Sequence, residues 1–125
     1  LKEGSLEILE LLKQQDKKLF LITNAHRTTL NIKLKKFNIS KYFDEMICSH
    51  ELGYVKEDIQ FWHVLRVKLR LDYKYSVLIE DTFDNISSAF HAGLNNSVYI
   101  SENKDFSSPI SPLILDSFSE LSSRI

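Results

Sequence analysis

The stretch SVLIEDTFDN, residues 76–85, decides how this chain is read. Three apolar residues, Val77, Leu78 and Ile79, run straight into two acids, Glu80 and Asp81, and Asn85 stands four residues beyond Asp81. A short apolar run of this kind reads as a strand buried on both faces. In an open parallel sheet, ligands bind beyond the carboxyl ends of the strands, so acids placed there face a crevice. Hard oxygen ligands in that position suit Mg²⁺. The plainer alternative is that Glu80 and Asp81 only open a loop and that Asp84 caps the following helix.

Outward from this stretch, helix and strand alternate. Leu6, Ile8, Leu9, Leu11 and Leu12 form a helical stripe that Ser5 is placed to cap, and Asp16, Lys17 and Lys18 break it. The apolar residues 19–22, closed by Thr23 and Asn24, read as a buried strand. Leu30, Leu34 and Phe37 recur at i, i+4 and i+7, which predicts a helix from about His26 to Phe37. Met46, Ile47 and Cys48 make a weaker strand, and Trp62, Leu65 and Leu69 set the inner face of another helix. After the strand at Val77 to Ile79 comes a helix with Ile86, Ala89 and Phe90 inward and Gly93 as its stop. Val98, Tyr99 and Ile100 give a fourth strand, and Pro109 and Pro112 mark an irregular tail before a last helical turn near Glu120. The class is α/β with a parallel sheet.

With 125 residues and 43% hydrophobic content, the chain suffices for one compact domain, residues 1–125, and not for two. The net charge of −1, with both signs mixed along the chain, argues against a nucleic-acid or anionic-membrane surface driven by bulk charge. Lys33, Lys35, Lys36 and Lys41 form the one clustered run and read as a solvated helix face. A single cysteine, Cys48, excludes an internal disulfide, and no stretch reads as a signal peptide or membrane span. A reducing, cytoplasmic setting is expected. The sequons at Asn38, Asn85 and Asn95 are then chance matches.

On this frame Thr23 and Asn24 end one strand, Lys56 sits in the loop after a second, and Glu80 and Asp81 end a third. All are expected on one edge of the sheet. A hydroxyl, an ammonium and a carboxylate pair gathered there fit phosphoryl chemistry. Thr23 and the free N–H groups at the next helix start would hold phosphate oxygens. Lys56 would offset charge, and the acids would hold Mg²⁺. Taken singly, Thr23 is also a helix cap and Lys56 a solvent lysine; their coincidence in order and position favours the joint reading. His26 and His50 fall near the same edge, where they could touch a base or ribose or simply face solvent. His63 and His91 lie on helices without an assigned role. Met46, Phe61, Trp62 and Phe90 are core residues by their spacing. Cys48 has no base paired to it and reads as a buried filler.

These residues resemble a family. LFLITN (19–24), GYVKED (53–58) and VLIEDTFDN (77–85) look like motifs two, three and four of the haloacid dehalogenase (HAD) superfamily, and the likeness covers nearly the whole chain. The longer strings TNAHR and SHELGYVKED, with Phe61 and Trp62, look closest to its purine-nucleotide (GMP/IMP) 5′-nucleotidase branch. The resemblance implies that Thr23, with Asn24, binds phosphate, that Lys56 bridges phosphate and nucleophile, and that Asp81 ligates Mg²⁺ with Glu80 and Asn85 beside it. It also implies a Rossmann-like three-layer core and a small phosphorylated substrate, a nucleotide monophosphate first. Glu80 stands where the family often has Asp, and Glu57 where many members have Pro.

One departure is larger. The family's first motif, a strand ending in Asp-x-Asp that supplies nucleophile and general acid, is absent, as is the cap that follows it; no Asp-x-Asp occurs in the chain. The expectation is an amino-terminally truncated core without its central strand, inactive alone because the aspartyl-phosphate route is closed. The alternative is a non-catalytic phosphate- or nucleotide-binding module. The family's strand order, five, four, one, two, three, puts the absent strand between the one ending at Thr23 and the one ending at Glu80. Such a slot would be filled by the chain's own amino-terminal segment, by strand exchange or, least favourably, by residues 19–22 pairing directly on 77–79.

Overall fold

A computed structural model describes residues 4–103 and 108–125. Its contacts divide the chain into two compact units, one running up to Glu51 and taking in Ser117–Ile125, the other Leu52–Asp116. The class is as expected: helices alternate with strands that pair in parallel.

The first unit contains α1 (Ser5–Gln14), β1 (Phe20–Thr23), α2 (Arg27–Phe37), β2 (Glu45–Cys48) and α5 (Phe118–Ser123). The parallel β1–β2 ladder runs from Phe20 opposite Glu45 to Thr23 opposite Cys48, so both strands end together. The cap of α1 is Gly4 and not Ser5, which is already helical. Gly4 has φ +82°, and a Cβ there would lie 2.5 Å from the backbone nitrogen of Ser119, so only glycine lets α1 start against α5. The helix stops before Asp16, at φ +59°. Asp44 ties the start of β1 to this corner by accepting the Leu19 N–H at 2.7 Å, with Lys13 Nζ at 3.3 Å. The Leu19 N–H above all holds its carboxyl below the usual range; desolvation opposes it, and Lys13 adds to the lowering. Leu30 is buried as its spacing predicted, and α2 ends on left-handed Asn38. All four β1 residues are only half-buried.

The second unit holds α3 (Ile59–Leu69), β3 (Leu78–Glu80), α4 (Phe83–His91), β4 (Ser97–Ile100) and β5 (Leu113–Leu115). Its sheet has the order β3-β4-β5, parallel throughout. The core is large: Trp62, Phe61, Leu65, Ile86 and Leu115 are fully buried. Four details differ from the sequence expectations. Val77 is 62% exposed and outside the strand, which runs one residue further and takes in Glu80. The tail after Pro112 is not irregular but forms β5, since proline is tolerated just before a strand that pairs on one side. Phe90 lies at the surface, about 100° around the helix from Ala89, while Ile86 and Ala89 face the core. The cap of α4 is Thr82 and not Asp84, and Gly93 at φ +103° stops the helix as expected.

Each strand pair has the neighbours expected for it, β1 with β2 and β3 with β4. Among the described residues every ladder lies within one unit, and pairing of residues 19–22 on 77–79 is not one of them. No helix among these residues is long and apolar enough to cross a membrane.

Candidate active site

In the second unit the structure brings Lys56, Glu80 and Asn85 together. Glu80, the last residue of β3, is 8% exposed, so its carboxylate needs partners to exist there as an ion. Lys56 Nζ stands 3.3 Å from Oε1 and 3.4 Å from Oε2, with the lysine side chain itself only 13% exposed. Asn85 donates from Nδ2 to Glu80 Oε1 at 2.7 Å. This fixes the amide, and Asn85 Oδ1 is left as a buried acceptor without a hydrogen bond. A buried acceptor of this kind costs about 1–3 kcal/mol, so it marks a place where a donor or cation belongs. Asp81, the next residue after β3, is exposed.

The loop carrying Lys56 is held from two helices. Trp62 Nε1 donates to the Lys56 carbonyl at 2.8 Å, Ser88 Oγ of α4 donates to the Glu57 carbonyl, and Asp58 caps α3 by accepting the Gln60 N–H at 2.9 Å. Lys56 is therefore not a solvent lysine. Its backbone is fixed by the same helices that carry the core.

The polar residues of the first unit are of another kind. Thr23, the last residue of β1, accepts the Ala25 N–H on Oγ1 at 3.0 Å, which keeps its hydroxyl proton available for donation. It does not cap α2; His26 does, by backbone geometry and without a side-chain bond. The first N–H groups of α2 thus point out of the helix start, a natural place for an anion. Asn24 Oδ1 accepts from Ser49 Oγ at 2.7 Å, and Ser49 is buried at 1% exposure directly after β2. Arg27 makes a paired contact with Glu51, Nη2 to Oε1 at 2.5 Å and Nε to Oε2 at 3.3 Å, and also donates to the Met46 carbonyl. That pairing raises the Arg27 pKa and lowers that of Glu51. Ser49 and Arg27 fall within SHELGYVKED and TNAHR, strings that by sequence give neither of them a role of its own. Cys48 is completely buried and burial pushes its thiol up, which agrees with a filler and not a nucleophile.

Among the described residues no three of His, Cys, Asp and Glu gather into a metal cluster. The oxygen donors of Glu80, Asp81 and Asn85 nevertheless fit Mg²⁺, which binds few protein carboxylates and keeps several waters. The orphaned Asn85 Oδ1 is the observation behind that fit.

A buried acid ending a parallel strand, with a lysine and an amide bonded to it, is a site suited to charged ligands, and the family model gives the class of protein that carries it. The chain belongs to the haloacid dehalogenase-like hydrolases, whose model matches residues 1–98. It is similar to the GMP/IMP nucleotidase YrfG of Escherichia coli K12, with 31% identity over 94 residues, 75% of this chain and 42% of that protein. The same figures hold for the protein of that name from Shigella flexneri. The chain thus spans less than half the length of these relatives. Among solved structures it is similar to a HAD phosphatase from Thermococcus onnurineus, with TM-score 0.81 and 20% identity over 99% of this chain and 57% of that one. The HAD-hydrolase YfnB of Bacillus subtilis, solved bound to magnesium, has TM-score 0.84 and 19% identity over 98% of this chain and 54% of its own. At these identities the structural likeness shows the fold.

Proposed function

We propose that this chain is the core of a Mg²⁺-dependent phosphomonoester hydrolase acting on a nucleoside 5′-monophosphate, a purine one first, in the reducing setting of the cytoplasm. The observation that carries the reading is the buried Lys56–Glu80–Asn85 cluster with its unpartnered amide oxygen. The relatives named as GMP/IMP nucleotidases support the substrate class. In this proposal Thr23 and Asn24 donate to phosphate oxygens, and the ammonium of Lys56 offsets the charge that grows on them during transfer. Asp81, Glu80 and Asn85 hold Mg²⁺, with Asp81 the stronger contributor because Glu80 is already engaged by Lys56 and Asn85. Bound there, Mg²⁺ would supply charge neutralisation at the phosphoryl oxygens.

The 125 residues contain no Asp-x-Asp, so the proposal includes that these residues by themselves do not turn over and need an amino-terminal segment bearing that motif, associated as a strand or exchanged between copies. The same absence favours the second reading, a phosphate- or nucleotide-binding module without catalysis. Phosphate release from GMP and IMP with excess Mg²⁺ separates them. The chain alone should give none, and supplying a strand ending in Asp-x-Asp should give hydrolysis that Lys56→Ala removes. Hydrolysis by the chain alone, lost on Lys56→Ala, would refute the need for the segment. Nucleotide binding with no turnover in either form would select the second reading.

A further inference from the structure

Three contacts join the loop after β1 to the loop after β2 in register: Asn24 with Ser49 at 2.7 Å, His26 with His50 through their rings, and Arg27 with Glu51 at 2.5 Å. The two imidazoles stand in the middle of this ladder, with centroids 4.4 Å apart and planes tilted by 46°. Both residues are exposed, and among the described residues no hydrogen bond engages either ring. The neighbours on each side are fixed by other bonds: Ser49 is buried, Arg27 is also bonded to the Met46 carbonyl, and its charge is balanced by Glu51. The rings touch each other, so nothing aromatic fits between them; a sandwiched base would need about 7 Å, twice the usual carbon contact.

We propose that His26 and His50 form a two-imidazole site for a late first-row divalent cation such as Zn²⁺, separate from the oxygen donors of Glu80, Asp81 and Asn85. Imidazole suits these cations and hard Mg²⁺ does not take it. With Zn–N of about 2.0–2.1 Å each ring centroid lies roughly 3.2 Å from the ion, which sets centroids roughly 4.5–5.2 Å apart for angles of about 90–109°. The observed centroid separation of 4.4 Å lies just below the lower end of that range, and rotation of the two rings turns a nitrogen of each toward a common point. Waters complete the coordination, and the balanced Arg27–Glu51 pair leaves no net charge beside the site to repel the ion. An ion held here joins the loop after β1 to the loop after β2, which the Ser49–Asn24 bond already links, and the two loops lose freedom when it binds.

Calorimetric titration of the whole chain with Zn²⁺ tests this, with sedimentation of the same samples and circular dichroism of every variant. The expected result is one ion per chain in a monomer. His26→Ala and His50→Ala should each weaken it at least about tenfold, a loss already typical for disturbing a ligand's support, while His63→Ala leaves it unchanged. His26→Gln and His50→Gln serve in place of an alanine variant that fails to fold. Zn²⁺ binding equal in wild type and either variant, binding only through a metal-bridged dimer, or no binding by the wild type would each overturn the proposal.

Discussion

The two units solve the same problem, presenting polar groups at the ends of parallel strands, in opposite ways. In the second unit the groups are charged and buried: Glu80 and Lys56 sit 8% and 13% exposed over a core of Trp62, Phe61, Leu65 and Ile86. In the first they are a half-buried hydroxyl, an exposed amide and two exposed imidazoles beside a half-buried strand. The difference follows from desolvation. A buried carboxylate persists only where a rigid frame fixes its counter-charge, and a large core supplies that frame. A neutral hydroxyl or a helix-start N–H needs no such enclosure to meet an anion.

The comparison breaks first at the core. Trp62→Ala should destabilise the protein by about 4 kcal/mol, through lost burial and through release of the Lys56 carbonyl that its indole holds. Denaturant unfolding measures the loss, and native-state hydrogen exchange should show β3 and β4 amides as the slow ones in the wild type and speeded most in the variant. Slower exchange in β1 and β2 than in β3 and β4 would reverse the assignment of rigidity.

Next comes the charge pair. Lys56→Met leaves Glu80 buried without its cation and should cost about 3 kcal/mol, of which adding Glu80→Gln restores most, because a neutral amide no longer needs the ammonium. A double variant as unstable as Lys56→Met alone would show that the ion pair is not what holds this corner.

A smaller effect is alkaline. Burial pushes the Tyr73 hydroxyl up from 10.0 to about 12, with Arg66 opposing, and the hydroxyl donates to the Trp62 carbonyl. A folded-state pKa above the unfolded one means the contribution is complete below pH 10 and is lost as pH rises from 10 towards 12. Stability measured across that window should fall in the wild type and fall less steeply in Tyr73→Phe.

Smallest is Ser49→Ala in the first unit, about 1 kcal/mol, since the loss is one hydrogen bond to an exposed Asn24 that water can replace. A cost as large as that of Lys56→Met would show the two strand ends to be built alike.

What was legible in sequence followed period and position. Apolar runs closed by polar residues marked β1, β2, β3 and β4, because a buried strand must end where its polar groups begin. The same boundaries place Thr23 and Glu80 at strand ends and Lys56 in the loop after β2. Gly93 was legible because a left-handed residue after a helix favours glycine. Ser5, Phe90 and the strand after Pro112 were misread, each for a tertiary reason: α5 packs on Gly4, the angular position of Phe90 turns it outward, and β5 is a strand only because β4 offers it a ladder.

By itself, then, the sequence determined the order of elements, the parallel class and the residues that end each strand, because these depend on local pattern and on the chemistry of single side chains. Tertiary structure alone decided that Glu80 is enclosed while Asp81 is exposed, that Lys56 spends its charge on Glu80, that one oxygen of Asn85 has no partner, and that His26 meets His50. Pairing joins Lys56 to Glu80 and His26 to His50 across 24 positions of the chain, and no pattern of nearest neighbours encodes which residues will touch.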